Sequence, residues 1–121
     1  MILEKLPHEL SICKANGPED VDLSASFYFV GKTDEEYSLV CPTKDVPAAA
    51  VCREDGWRSF RIQGVLDLSL IGILSKILSV LAEEHIGIFA VSTFNTDYIL
   101  VRAECFDKAA GVLEAAGYAV R

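Results

Sequence analysis

The feature that most constrains the fold is an internal repeat. Sliding the chain against itself by 61 residues aligns like residues across several elements: Val30 with Val91, Tyr37 with Tyr98, Leu39 with Leu100, Gly56 with Gly117, and Trp57 with Tyr118. These matches share one fixed offset and extend over predicted strands, a turn and the end of a predicted helix, which indicates a duplicated unit. We therefore expect two half-length units, residues 1–56 and 57–121, packed together as one globular body.

The second half changes its hydrophobic period along its length. Alternation predicts strands, and spacings of three and four predict helices. The predicted elements are a strand over Trp57–Gly64, a helix from Leu70 to His85, strands over Ile88–Phe94 and Tyr98–Ala103, a helix over Phe106–Ala116 and a strand over Tyr118–Val120. We expect Asp67 or Ser69 to cap the first helix and Gly87 to end it in a left-handed conformation. This β-α-β-β-α-β order is the ferredoxin-like arrangement, in which helices cover one face of an antiparallel sheet.

The first half is an imperfect repeat of the second, with shorter predicted helices. Asn16, Gly17 and Pro18, followed by acidic residues, prevent a long helix at the first helical position. Pro42 and Pro47 shorten the second helix to a turn or two. Strands are predicted over His8–Ala15, Phe27–Lys32 and Tyr37–Cys41. The expected fold class is α+β, with tandem ferredoxin-like units, antiparallel sheets, and reduced helices in the first unit.

Composition excludes several partners. Asp and Glu outnumber Lys and Arg by 18 to 11, which gives a net charge of −7. Such a surface repels phosphate backbones and anionic lipid heads, so neither nucleic acid nor a membrane is an expected partner. The most apolar run, Leu66–Ala82, is interrupted by polar residues and falls short of the ~20 apolar residues of a membrane helix. The N-terminal residues lack the basic and apolar regions of a signal peptide.

The cysteines and histidines carry no catalytic or metal-binding pattern. The four cysteines form no CxxC pair, and we expect mostly buried, reduced thiols in a cytoplasmic protein, with no metal and no other cofactor. His8 and His85 lie near a predicted strand start and a helix end, and neither accompanies a nucleophile motif. Glycine-rich phosphate loops are absent. The chain is therefore not expected to be an enzyme.

Several short segments together resemble a known family. They are EKLP near the start, LVCP at 39–42, GWR at 56–58, LDLSLIGIL at 66–74 and VSTFNTDYILV at 91–101. In this order they resemble the ACT domain, and residues 3–120 are similar to small stand-alone double-ACT proteins related to the aspartokinase regulatory region and to the eukaryotic CASTOR arginine sensors. The resemblance implies a non-catalytic regulatory or sensor protein that binds an amino acid or a similar small molecule. Uncovered sheet surface and edge strands add the expectation of a homodimer.

The resemblance also implies a ligand site in the complete unit. One wall would be Asp67, Leu68, Ser69, Leu70, Ile71 and Gly72, and the opposing wall Thr93, Phe94, Asn95, Thr96 and Asp97. In arginine-sensing relatives, an acid at the position of Asp97 holds the positive end of the ligand. Independently, unpaired N–H groups at the start of the predicted helix, on Leu70 to Gly72, would hold an α-carboxylate.

Structural roles compete with these assignments. Asp67 would also serve as a helix cap, Asp97 as a turn former, and Gly72 as a point of close helix packing. The alternative function is a protein-interaction subunit with a regulated protein partner. Its ligand pocket would be vestigial, and its exposed sheet would dock that other protein.

Overall fold

The computed structural model describes residues 1–67 and 71–121. Within these ranges the strands are β1 (Ile2–Lys5), β2 (Leu10–Lys14), β3 (Phe29–Lys32), β4 (Tyr37–Pro42), β5 (Val51–Ile62), β6 (Ile88–Ser92), β7 (Asp97–Arg102) and β8 (Ala119–Val120). The α-helices are α1 (Ile73–Glu83) and α2 (Phe106–Ala115). Short 3₁₀ helices occupy Pro18–Asp20, Thr43–Asp45 and Ala103–Cys105. The class is α+β with tandem ferredoxin-like units, as the sequence predicts.

The chain divides into two compact units. The helical unit comprises Met1–Pro7 and Arg58–Arg121, and the strand unit comprises His8–Trp57. The predicted division into residues 1–56 and 57–121 instead groups Met1–Pro7 with the strand unit. They belong to the helical unit because β1 pairs antiparallel with β5 and parallel with β8.

The helical unit contains one more strand than the predicted four. Its strands follow the order β6, β7, β5, β1, β8. β1 lies between β5 and β8, with Leu3 opposite Ile62 on one side and Val120 on the other. The parallel pairing of β1 with β8 also departs from the expected antiparallel sheet. β1 has only four residues, too few for an alternating hydrophobic pattern to predict a strand. Its strand geometry depends on pairing with β5 and β8, which are distant in the sequence.

Alternating residues build the helical unit's core. Phe60 and Ile62 on β5, together with Ile99 and Val101 on β7, are fully buried. Two-residue spacing places each pair on one face of its strand. The buried helix residues packed against them are Ile77 and Leu81 of α1 and Phe106, Ala109, Ala110 and Leu113 of α2. The spacing of three and four in each helix directs one stripe toward the core.

The strand unit has the order β3, β4, β2, β5, with all three pairings antiparallel. The predicted shortage of helix is confirmed, because the described backbone between its strands forms 3₁₀ helices and turns but no α-helix. A small cluster of Cys13, Ala15 and Leu39 is buried in it.

The ends of α1 differ from the predicted ones. The N-cap is Gly72, in the left-handed region at φ 80° and ψ 3°, and not Asp67 or Ser69. At the other end His85 has φ 58°, and Gly87 is not among the residues with positive φ. Glycine accepts positive φ without steric cost, so Gly72 turns the chain into the helix. Beyond α2, Gly117 has φ 101°, as expected for a residue that follows a helix.

The repeat offset of 61 is one residue too large in the hairpins. The turn of β3–β4 closes with Thr33 N–H donating to Glu36 O at 2.9 Å, and that of β6–β7 with Thr93 N–H donating to Thr96 O at 2.9 Å. Thr33 therefore corresponds to Thr93. Since a one-residue shift in a strand exchanges its two faces, the offset of 61 pairs residues on opposite faces of the two hairpins. The later glycines Gly56 and Gly117, which both have positive φ, do follow the offset of 61.

Candidate functional site

A cavity of about 240 Å³ lies in the helical unit, between the start of α1 and the turn that joins β6 to β7. Its lining residues are Leu66, Asp67, Gly72, Ile73, Leu74, Ser75, Ser92, Thr93, Phe94, Asn95, Thr96 and Asp97. The cavity is therefore bounded by two walls, one at the helix start and one at the hairpin turn.

The helix wall presents backbone N–H groups. The first helical hydrogen bond runs from Lys76 N–H to Gly72 O at 3.0 Å. The N–H groups of Ile73, Leu74 and Ser75 precede it, so they have no acceptor four residues earlier within the helix. Because the N-cap is glycine, no cap side chain accepts a hydrogen bond from them. Among residues 1–67 and 71–121, no atom lies within 4 Å of a Cβ built on Gly72.

The hairpin wall is a tight turn. The carbonyl of Thr96 accepts hydrogen bonds from Thr93 N–H at 2.9 Å and from the Thr93 hydroxyl at 3.0 Å. Two further bonds join the wall to the end of β5 and to the segment that follows: the Thr96 hydroxyl donates to Ile62 O at 2.7 Å, and Leu66 N–H donates to Asn95 O at 2.7 Å. Thr96 is the buried residue of the turn, only 5% exposed.

The charges of the cavity are negative. Asp67 and Asp97 supply two carboxylates, and the described lining contains no lysine, arginine or histidine. Leu66, Ile73, Leu74 and Phe94 supply apolar surface, with Phe94 itself 77% exposed. Chemically, the cavity offers hydrogen-bond donors at the helix start and anionic acceptors near them.

The structure brings together most of the predicted site residues. Those that line the cavity are Asp67, Gly72, Thr93, Phe94, Asn95, Thr96 and Asp97. Leu68, Ser69 and Leu70 lie outside the described residues. Ile71 is 94% exposed and is not part of the lining.

Sequence reasoning missed five lining residues: Leu66, Ser92, Ile73, Leu74 and Ser75. The sequence predicts a helix that starts at Leu70, whereas α1 starts at Ile73. The N–H groups of the first turn were therefore assigned to Leu70 to Gly72 instead of Ile73 to Ser75. The signal that could have corrected this was Gly72 itself, because a glycine at a loop-to-helix junction can adopt positive φ.

The two buried cysteines, Cys13 and Cys41, are poor nucleophile candidates. All four are free thiols. Burial raises the pKa of Cys41 to about 12, and burial also raises the pKa of Cys13. Cys52 is exposed and Cys105 half-buried, so the expectation of mostly buried cysteines holds for only two. Thiols that resist ionisation are inert.

Residues 1–67 and 71–121 contain neither a metal-binding cluster nor a membrane-spanning helix. No group of three or more His, Cys, Asp or Glu side chains there is placed to hold a metal ion. In the same ranges, no helix combines the length and the apolar character needed to span a bilayer.

Comparisons with known proteins bear on the family and the fold of the chain. A family model described as the ACT domain matches residues 53–115. A solved protein from Agobacterium tumefaciens is 31% identical, with a TM-score of 0.85, over 99% of this chain and 91% of that chain. No curated protein matches the sequence.

More distant structures share the fold. A Vibrio cholerae protein of unknown function, described as a possible transport protein, is 18% identical with a TM-score of 0.73, over 92% of this chain and 85% of that chain. A structure of aspartokinase alpha and beta subunits is 16% identical with a TM-score of 0.70, over 96% of this chain and 97% of that chain.

Proposed function

Because the chain belongs to the ACT domain family, we propose that it is a non-catalytic, cytoplasmic regulatory protein that binds a free amino acid in the cavity at the start of α1. ACT domains are regulatory domains that typically bind small molecules. The four free cysteines favour a reducing compartment.

The observation that carries this proposal is the pairing of opposite charges across one small cavity. The start of α1 has a partial positive charge and N–H groups on Ile73, Leu74 and Ser75 that suit a carboxylate. Asp67 and Asp97 line the same cavity and suit an ammonium group. A free amino acid carries one group of each kind on a single carbon.

The size of the cavity supports a ligand of this class. Pockets for drug-sized ligands usually measure roughly 300–1,000 Å³. The cavity here measures about 240 Å³. It is thus too small for a dinucleotide and suits a ligand with few heavy atoms.

The direct test is a thermal-denaturation screen with the twenty standard amino acids, each offered singly. A specific ligand stabilises the protein by RT ln(1 + [L]/Kd), which is about 2.7 kcal/mol at a hundredfold excess over Kd. Asp97→Asn should weaken the response to the best amino acid about tenfold or more, because it removes one charge-assisted contact. Asp34→Asn, an exposed acid in the equivalent turn of the strand unit, is the matched control and should respond like the wild type.

Two outcomes would contradict the proposal. If none of the twenty amino acids shifts the melt, amino-acid binding is wrong. If Asp97→Asn binds as tightly as wild type, the ligand is bound elsewhere.

A protein-interaction subunit remains the second candidate. It is favoured by the exposure of two large apolar side chains, Ile71 at 94% and Phe94 at 77%. Should no amino acid bind, retention of a cellular partner by wild-type protein but not by Phe94→Ser would support this reading.

We also propose a homodimer formed along β6. In the described chain β6 pairs only with β7, and its sequence IFAVS has neither charge nor proline to protect the edge. The edge strand of the strand unit, β3, carries Lys32 and is better protected. Sedimentation should show a dimer for wild type, a monomer for Ala90→Lys, and a dimer for the control Val30→Lys. A monomeric wild type at micromolar concentration would refute the dimer.

A further inference from the structure

We propose that Thr96 is a positioning residue, which holds the two walls of the cavity at their spacing and does not act as a ligand donor. This inference rests on the proposed function for its biological meaning, but the geometry that carries it is independent of any ligand.

The hydroxyl proton of Thr96 is already donated within the protein. A threonine hydroxyl has one proton to donate. Here that proton goes to Ile62 O at 2.7 Å, at the end of β5, and the residue is 5% exposed. The hydroxyl therefore has no proton left to donate to a ligand.

The bond to Ile62 fixes the hairpin wall relative to the other wall. Ile62 is the last residue of β5, and the chain continues from it through Leu66 and Asp67 into the helix wall. The Leu66 N–H bond to Asn95 O, also 2.7 Å, joins the same two segments a few residues further along. Together these two bonds connect the walls close to the cavity.

The strand unit shows that the turn itself does not require this bond. There Thr33 closes the same four-residue turn, with its hydroxyl accepting from Glu36 N–H at 3.2 Å as the Thr93 hydroxyl accepts from Thr96 N–H at 3.4 Å. The residue in the place of Thr96 is Glu36, which is exposed. Since an exposed Glu closes the turn equally well, the buried hydroxyl serves the attachment of the turn to β5.

The test uses amide hydrogen exchange of the unliganded protein. Thr96→Val keeps the shape of the side chain and removes the hydroxyl, so the Leu66 amide should exchange about tenfold faster, as expected when a neighbouring hydrogen bond is lost. Thr96→Ser keeps the hydroxyl and should restore the wild-type rate. Glu36→Val, at the turn position of the strand unit that corresponds to Thr96, should leave the exchange rate of the Leu66 amide unchanged.

The same variants are then offered the twenty amino acids singly. Thr96→Val should bind the best of them about tenfold more weakly, and Thr96→Ser should bind it as wild type does. An unchanged Leu66 rate in Thr96→Val would overturn the proposal. So would equal acceleration at the Leu81 amide in the core, because the effect would then be global.

The two proposals fail separately. If wild type responds to no amino acid, ligand binding is refuted, while the exchange rates still decide the role of Thr96. If an amino acid binds but Thr96→Val binds it normally, the positioning role is refuted and the site stands.

Discussion

The helical unit and the strand unit build the same hairpin and then diverge at one point. Both hairpins lead into a 3₁₀ turn with nearly identical entry angles, φ −54° and ψ 140° at Pro42 and φ −57° and ψ 140° at Arg102. In the helical unit the turn continues at Phe106, φ −61° and ψ −47°, into α2. In the strand unit Val46 turns extended, with φ −63° and ψ 127°. Pro47 follows Val46, and a residue before proline is pushed out of the helical region.

The lost helices change what holds each unit together. The helical unit packs α1 and α2 on its sheet through a continuous apolar cluster. The strand unit uses polar bonds where helix is missing: buried Ser11 has its hydroxyl against the Thr43 hydroxyl at 2.9 Å and the Asp55 carboxylate at 2.5 Å. Arg53 then pairs with Asp55 at 2.8 Å. A cavity bounded by a helix start requires the helix, which explains why the candidate site lies in the helical unit.

The largest expected difference is between core truncations in the two units. Leu113→Ala in α2 should lower the free energy of unfolding by about 2–5 kcal/mol, since a fully buried leucine leaves a cavity between helix and sheet. Leu39→Ala should cost less, toward the lower end of that range, because the loop cover of the small cluster can collapse more easily. Urea denaturation measures both. Equal losses would show that the strand unit is packed as rigidly as the helical one.

The next effect tests the polar network of the strand unit. Ser11→Ala removes the hydroxyl that joins Thr43 to Asp55, and should lower the free energy of unfolding by about 1–3 kcal/mol, because two hydrogen bonds of about 0.5–1.5 kcal/mol each are lost. Ser79→Ala, an exposed serine on α1, is the control in the helical unit and should be near neutral. A stability loss below that of the control would mean that solvent replaces the network at no cost.

Sequence reasoning succeeded where the period was long and unbroken. The six strands and α-helices of the helical unit after β1 were predicted because their apolar spacing is local information: Ile77 and Leu81 in α1, and Ala109 and Leu113 in α2, mark the buried faces. The missing helices of the strand unit were predicted from glycine and prolines, whose backbone limits are also local. The position of β1 was not predicted, because four residues gain their strand geometry only by pairing with distant ones.

The sequence predicts the hairpin side of the candidate site, but not the residue at which α1 starts. The turn residues Thr93 to Asp97 were identified, and the structure places them on the cavity. The N–H donors were misplaced because the start of α1 is set by one left-handed dihedral at Gly72, which no periodicity reveals. The family resemblance includes Thr96 among the ligand residues, and a polar turn residue gives no sequence sign that its hydroxyl is bonded to β5.

Glycine-to-alanine substitutions should change the free energy of unfolding differently in the two units, by about 1 kcal/mol. Gly72→Ala places a side chain at φ 80°, a conformation that costs L-residues roughly 1–2 kcal/mol, although its Cβ would meet no atom. Gly31→Ala in β3 should be neutral or stabilising by up to ~1 kcal/mol, since its Cβ would lie 3.8 Å from the Ser38 Cβ, an ordinary contact. Thermal and urea denaturation would measure both. A neutral Gly72→Ala would show that the helix start can shift, and the N–H wall of the cavity with it.

The smallest expected effect is a pH dependence that belongs to the strand unit alone. The Arg53 guanidinium, followed by the Ser11 hydroxyl, holds the pKa of Asp55 below its usual range. A carboxyl with a lowered folded pKa binds fewer protons than in the unfolded chain, so its stabilising contribution is complete above the unfolded pKa of about 3.9 and disappears as pH falls through the folded value. The difference in urea midpoint between wild type and Asp55→Asn should therefore be constant near neutral pH and shrink below about pH 4. Asp107→Asn in the helical unit, an exposed acid outside this network, is the matched control. If the Asp55→Asn difference stays constant into acid, the Arg53 pair does not act in solution, and the strand unit depends on Ser11 and Thr43 alone.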